Sequence, residues 1–147
     1  MGLLMVGTVS EKASEMLAYA HETQEEKTIR GLALGIALTV YGREERADSL
    51  IKQMTGDRDH ILRCGGMYAL ALAYRGTASN KAVSQLLHFA ASDVSDDVRR
   101  TAVQALGFVL YSEPDKVSIF LECIPRNLVF LLPLFCLLVR FIIALYL

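Results

Sequence analysis

The sequence lacks the features expected of a disulfide-bonded or a nucleic-acid-binding protein. Its three cysteines, Cys64, Cys123 and Cys136, are an odd number without a CxxC spacing. They fit a reducing cytosol or nucleus better than a disulfide framework. The 15 Lys and Arg residues nearly balance the 16 Asp and Glu residues, which gives a formal net charge of −1. The sequence therefore predicts no basic surface for nucleic acid.

Motifs for catalysis and cofactor binding are missing as well. The sequence contains no glycine-rich phosphate loop, no Ser/His/Asp arrangement and no carboxylate pair typical of acid–base catalysis. His21, His60 and His88 lie far apart along the chain and at unrelated positions, so we expect no shared metal site. We predict a protein that is not an enzyme and that has no cofactor.

One acidic cluster needs a separate interpretation. Asp93, Asp96 and Asp97 lack the ligand spacing and central glycine of an EF-hand loop. We expect Asp96 or Asp97 to cap a helix that begins at Val98, where the helix dipole favours negative charge. Residues 99–100 are two arginines; they are expected to lie on a solvated helix face, with a partner contact as the alternative.

What the sequence does contain is a repeat with a spacing near 35 residues. Its first block is Ala13, Met16, Leu17 and Ala20, then Ala47, Leu50, Ile51 and Met54, then Val83, Leu86, Leu87 and Ala90. Its second block is Gly31, Gly35, Ile36 and Ala37, then Gly65, Ala69, Leu70 and Ala71, then Thr101, Ala105, Leu106 and Gly107. In both blocks the offsets are 34 and then 36 residues. Such a period is typical of stacked supersecondary units, none of which buries its apolar face alone.

Each unit is predicted to contain an amphipathic outer helix and an almost wholly apolar inner helix, which must be buried on every side. We predict helices near residues 10–21, 28–41, 44–55, 62–75, 80–91 and 97–111. Ser10 and Asn80 are the expected N-caps of two outer helices. Gly42 and Gly76 follow two inner helices and suit C-cap positions with positive φ.

Small residues recur on the inner helices, where glycine costs helix stability unless close packing offsets the loss. We predict that they lie at contacts between inner helices. These positions are Gly31, Gly35, Gly65, Ala69, Ala105 and Gly107.

Three segments resemble proteasome/cyclosome repeats: IRGLALG at 29–35, GGMYALA at 65–71 and DDVRRTAV at 96–103. The resemblance extends from about residue 2 to residue 114. In that family the repeats close into an α-toroid, which supports the ATPase ring and docks ubiquitin-handling subunits without an active site. The resemblance implies an all-α solenoid of helical hairpins over 1–115 and a non-catalytic scaffold in ubiquitin-dependent protein degradation. Its partners would be other regulatory-particle subunits in the cytoplasm and nucleus.

Residues 116–147 break the repeat and form a separate apolar tail. Between 128 and 147 the only charged residue is Arg140 and the only proline is Pro133. As a helix these residues would span about 30 Å, the thickness of a bilayer core. Arg140 near the centre would cost roughly 2.5–3.5 kcal/mol of insertion free energy. We expect a tail helix that is kinked at Pro133.

Two origins of the tail remain open. Residues 116–118, Lys-Val-Ser, translate a consensus splice-donor sequence, and pyrimidine-rich intronic sequence encodes Phe- and Leu-rich peptides, so we favour intron read-through. A membrane anchor is the alternative, and the chain would then be a membrane-anchored helical adaptor. A third possibility is a truncated product without function, because an incomplete solenoid exposes apolar helices at its ends. Carbonate extraction would distinguish the anchor from the other two.

Overall fold

The computed structural model describes residues 11–113 and has six α-helices within them. They are α1 (Glu11–Glu22), α2 (Glu26–Thr39), α3 (Asp48–Thr55), α4 (His60–Ala73), α5 (Asn80–Ser92) and α6 (Asp96–Leu110). A 3₁₀ turn, Glu44–Ala47, leads into α3. No strand occurs within this range. The predicted all-α fold is confirmed, and each predicted helix has its counterpart.

The six helices form three antiparallel hairpins in two layers. Each outer helix (α1, α3, α5) packs mainly on the inner helix of its own hairpin (α2, α4, α6). In the inner layer α4 lies between α2 and α6. A single apolar core therefore runs through all three units, as expected for a stacked solenoid.

The outer helices bury one stripe each, as their sequence pattern predicts. In α1 the buried positions are Ala13, Leu17 and Ala20, spaced four and three residues apart. Leu86 on α5 and Met54 on α3 are fully buried, at two different positions of the repeat. The remaining positions of these helices are largely polar and exposed.

The inner helices are not buried on every side, and this part of the prediction is wrong. Leu34 on α2 is 48% exposed and Phe108 on α6 is 41% exposed. The physical reason is that, within residues 11–113, the inner layer is covered by the outer helices on one face only. Its opposite face contains apolar residues that no described element covers.

The turns after α2 and α4 contain the two predicted left-handed glycines. Gly42 has φ +66° and Gly76 has φ +68°, which confirms the predicted sign. The helices end at Thr39 and Ala73, so both glycines lie three residues beyond the last helical residue. There Gly42 N–H donates to the carbonyl of Leu72 at 3.1 Å, and Gly76 N–H donates to that of Phe108 at 3.0 Å. Each turn is thereby bound to the next inner helix.

The predicted helix caps are displaced by one or more residues. Ser79 occupies the N-cap position of α5 without a side-chain hydrogen bond to the helix, so Asn80 is its first helical residue. Helix α6 begins at Asp96 with Ser95 as its N-cap. Asp96 and Asp97 are therefore first-turn residues, where the helix dipole still favours their charge.

Some predictions lie outside the described residues. These are the N-cap Ser10, the family-like residues before 11, and the tail 116–147 with its predicted helix, membrane segment and domain boundary. Within residues 11–113 no helix is both long enough and apolar enough to span a bilayer.

Candidate functional site

The buried small residues lie in the layer formed by α2, α4 and α6. They are Gly35, Gly65, Ala69, Ala105 and Gly107. Gly65 shows what a larger residue would meet, since a Cβ there would lie 2.7 Å from Ala33 Cβ and 2.8 Å from Met54 Cε. Helix α4 therefore approaches α2 and α3 more closely than any side chain at this position allows.

Gly31 does not share this environment, although it occupies the same repeat position as Gly65. It is exposed, and among the described residues no heavy atom lies within 4 Å of the position of its Cβ. The close approach at Gly65 comes from Ala33 on the preceding inner helix. Within residues 11–113 no inner helix precedes α2. Within residues 11–113 Gly31 therefore lies at no contact between inner helices, and its packing role stays a prediction.

The polar centre of the junction between the second and third units is Arg63. Its Nη1 donates to the carbonyl oxygens of Asp57 at 3.1 Å and Arg58 at 2.8 Å, in the loop before α4. Its Nε and Nη2 donate to the two carboxylate oxygens of Asp93 at 2.9 and 3.1 Å. Only 16% of the Arg63 side chain and 7% of the Asp93 side chain are exposed. We call this two-sided arrangement the arginine clamp.

The Asp93 carboxylate accepts three hydrogen bonds from two residues. Besides the fork of Arg63, it accepts the N–H of Ser95 at 2.8 Å. Asp57 accepts the N–H of Asp59 at 2.9 Å in the same way, one unit earlier. Burial raises the pKa of the Asp93 carboxyl, but the hydrogen bonds from Arg63 and Ser95 outweigh it and leave that pKa below its usual value. Asp93 is thus a structural carboxylate, not part of a cation loop.

The lowered pKa of Asp93 predicts a specific dependence of stability on pH. The stabilisation is complete above the unfolded-state pKa of about 3.9 and is lost as pH falls through the lower folded-state pKa. We expect the free energy of unfolding to decline over that acidic range, and Asp93→Asn to remove this part of the decline. Urea unfolding at several pH values measures both. Parallel pH curves for the two proteins would show that Asp93 has no such role.

A second recurring contact links the C-terminal ends of the inner helices. The Arg75 guanidinium lies 5.3 Å from the ring centre of Tyr41 and 5.5 Å from that of Tyr111. These three residues occupy equivalent positions, 34 and 36 residues apart. The resulting Tyr–Arg–Tyr stack crosses all three units.

We expect Arg75→Ala to lower the free energy of unfolding by about 0.5–1 kcal/mol, because two exposed cation–π contacts are lost. Arg75→Lys keeps the charge but loses the flat face that stacks on both rings. Its free energy of unfolding should therefore lie between those of the unchanged chain and Arg75→Ala. Thermal unfolding of the unchanged chain and the two variants measures these differences. A melting temperature unchanged in Arg75→Ala would mean that the stack does not stabilise the fold.

A groove of about 620 Å³ lies on the open face of the inner layer, and Arg30, Cys64, Tyr68 and Arg100 are among its lining residues. Cys64 is partly buried, and burial is the main cause that raises the pKa of its thiol. It is therefore not an activated nucleophile.

His21 pairs with Asp57, whereas His60 pairs with Asp59. Residues 11–113 contain no cluster of His, Cys, Asp or Glu side chains suited to a metal.

Residues 11–113 thus form hairpins of one repeat, which pack through small residues and are joined by recurring polar contacts. These features define a helical-repeat protein.

No protein-family model matches the chain. A relative from Arabidopsis thaliana, 26S proteasome non-ATPase regulatory subunit 1 homolog A, is 81% identical over 116 residues, 79% of this chain. The 26S proteasome regulatory subunit rpn2 of Schizosaccharomyces pombe is 58% identical over 116 residues.

A third relative, 26S proteasome non-ATPase regulatory subunit 1 of Drosophila melanogaster, is 53% identical over 117 residues. The matched part of this chain therefore belongs to the family of the 26S proteasome non-ATPase regulatory subunit 1. The chain spans about 12% of the length of these relatives.

Proposed function

We propose that this chain is a non-catalytic scaffold segment of the proteasome regulatory particle, and that it acts in ubiquitin-dependent protein degradation through protein–protein contacts. The observation that supports the proposal most is the high identity to regulatory subunit 1 over 79% of the chain. The geometry agrees with this role, since the recurring contacts join unit to unit and hold the surfaces of the hairpins in fixed positions. Its partners would be regulatory-particle subunits in the cytoplasm and nucleus.

The close packing around the buried small residues supports the same scaffold role. We propose that Gly35, Gly65, Ala69, Ala105 and Gly107 keep the inner helices close, so that the layer forms one rigid body. A rigid surface suits a scaffold, because little conformational entropy is then lost when a partner binds.

Cross-linking and affinity purification of the tagged full chain from cells would test the proposal. We expect regulatory-particle subunits among the cross-linked proteins, enriched over an unrelated helical-repeat protein of similar size. The matched control is the chain with Gly65→Val, which should disturb the inner layer and reduce the enrichment. If regulatory-particle subunits are no more frequent than with the unrelated protein, the assignment to the proteasome is wrong.

A further inference from the structure

The open face of the inner layer has an apolar part that no described element covers. Leu34 lines the groove on this face and is 48% exposed. Phe108, 41% exposed, follows the groove residue Gln104 by four positions on α6, so these two side chains share one face of that helix. Such a surface gains free energy when an apolar segment covers it.

The other part of the groove is charged and lies toward the N-terminal ends of the inner helices. Arg30 lines it from α2, and Asp97 and Arg100 line it from α6. Arg30 already pairs with Glu26 on its own helix. Asp97 is exposed, and within residues 11–113 its carboxylate makes no ion pair. It can therefore accept a cation from a segment that lies in the groove.

We propose that residues 128–147 of this chain occupy this groove, with Arg140 paired to Asp97. The proposal goes beyond the scaffold function, because it states what covers the open face of the repeats in this chain. Arg140 is the only charged residue among 128–147, and most of the others are Leu, Phe, Ile or Val. One cation within an apolar segment matches one unpaired carboxylate beside an apolar surface.

The lengths of the two partners agree with this placement. Residues 114–127 connect α6 to the apolar segment and are long enough for the chain to turn back over the open face. As the helix expected from the sequence, residues 128–140 extend about 18 Å. Leu110 and Asp97, near the two ends of α6, are about 20 Å apart along its axis. A segment that begins level with Leu110 therefore brings Arg140 to Asp97.

The cysteines of the chain report on this alignment. Cys136 precedes Arg140 by four residues, so the alignment places it level with Thr101. Thr101 and Cys64 line the groove side by side. Cys123, within the connecting residues, is an internal control.

A short bis-maleimide applied to the full chain without detergent, followed by peptide mass spectrometry, would test the proposal. We expect Cys64 to be joined to Cys136 roughly tenfold more often than to Cys123, because a bound segment holds its thiol at a high effective concentration. Mixing unlabelled with isotope-labelled chain separates links within one chain from links between two. Leu34→Asp puts a charge on the apolar surface and should lower the yield severalfold. Tyr19→Asp, at an exposed apolar residue of α1, should leave the yield unchanged.

Charge exchange tests the pair of Arg140 and Asp97 separately. Asp97→Arg and Arg140→Asp should each reduce the yield of the Cys64–Cys136 link, and the double variant should restore it. Restoration separates the pairing from damage to the fold, because the double variant carries the same change in α6.

Several results would overturn the proposal: equal links from Cys64 to Cys123 and Cys136, a Cys64–Cys136 link found only between two chains, or no restoration in the double variant. The last arm adds phosphatidylcholine vesicles. If the link is then lost and the chain stays with the vesicles after carbonate washing, residues 128–147 are a membrane anchor and the proposal is wrong. We expect the link to persist instead. None of these results bears on the cross-links to proteasome subunits, so failure of the proposed function would be seen separately.

Discussion

Replacing Asp93 by asparagine is expected to lower the free energy of unfolding by about 2–3 kcal/mol. Asparagine has nearly the same shape, but it offers one acceptor oxygen where the Arg63 fork uses two. The guanidinium would remain largely buried beside an amide without charge. Since the same carboxylate also holds the Ser95 N–H, the loop between α5 and α6 should loosen as well. Urea unfolding near neutral pH, followed by circular dichroism, measures the loss.

Asp96→Asn is the matched control for this substitution. Asp96 belongs to the same stretch of chain and also contacts an arginine, but its side chain is mostly exposed. We expect a change within about 0.5 kcal/mol, as for other exposed ion pairs. Equal losses in the two variants would mean that the inter-unit clamp adds nothing beyond a surface pair. The double variant Arg63→Met with Asp93→Asn should lose less than the sum of the single changes, because both remove one interaction.

The repeat made the fold predictable, because few arrangements other than stacked hairpins bury one apolar stripe on every outer helix. Helix positions followed from the apolar spacing, and the turn glycines followed from the need for positive φ after an inner helix. The N-cap positions of α5 and α6 precede the expected residues, and neither Ser79 nor Ser95 makes a side-chain cap hydrogen bond. Side-chain capping, on which the sequence prediction relied, therefore does not fix where these two helices begin.

The arginine clamp was not predicted, although a signal for it exists. Arg63 and Arg99 are 36 residues apart, and so are Asp57 and Asp93, so the clamp has the period of the repeat. The apolar and small residues that reveal the repeat carry no information about this pairing, and their pattern alone places Arg99 on a solvated face. Its contacts with loop carbonyls five and six residues earlier depend on how the loop folds back, which hydrophobic periodicity does not report.

One repeat position has two different environments because the units beside it differ. Gly31 and Gly65 are equivalent in sequence, yet only Gly65 faces an earlier inner helix within the described residues. Sequence periodicity identifies equivalent positions, whereas packing depends on which neighbours are present. A stacked fold therefore gives equivalent residues unequal energies according to the units beside them.

Alanine substitution at these two glycines should consequently have opposite effects on stability. Gly31→Ala places a methyl group on a helix at a point where no atom of residues 11–113 lies within 4 Å, so the higher helix propensity of alanine should raise the free energy of unfolding by about 0.5–1 kcal/mol. Gly65→Ala gains the same propensity, but its Cβ meets Ala33 Cβ and Met54 Cε at distances that atoms cannot maintain. Met54 can move its terminal methyl group, whereas Ala33 moves only with α2. Overpacking of this kind costs about 1–3 kcal/mol, so a net loss is expected.

Thermal and urea unfolding of Gly31→Ala, Gly65→Ala and the unchanged chain would measure the change in the free energy of unfolding. A compensating substitution tests whether the contact with Ala33 causes the loss in Gly65→Ala. Ala33→Gly removes the rigid methyl group that Gly65→Ala would strike, so it should reduce the cost of Gly65→Ala. The double variant should therefore be more stable than the sum of the two single effects predicts. Gly31→Ala combined with Ala33→Gly should show no such coupling, because no atom of Ala33 lies within 4 Å of the Gly31 Cβ position. The contrary outcome is that alanine at both glycines raises the free energy of unfolding equally. The close approach of α4 to α2 would then not limit the size of residue 65. The packing role proposed for the small residues would in that case be wrong at Gly65, where the contact distances are best defined.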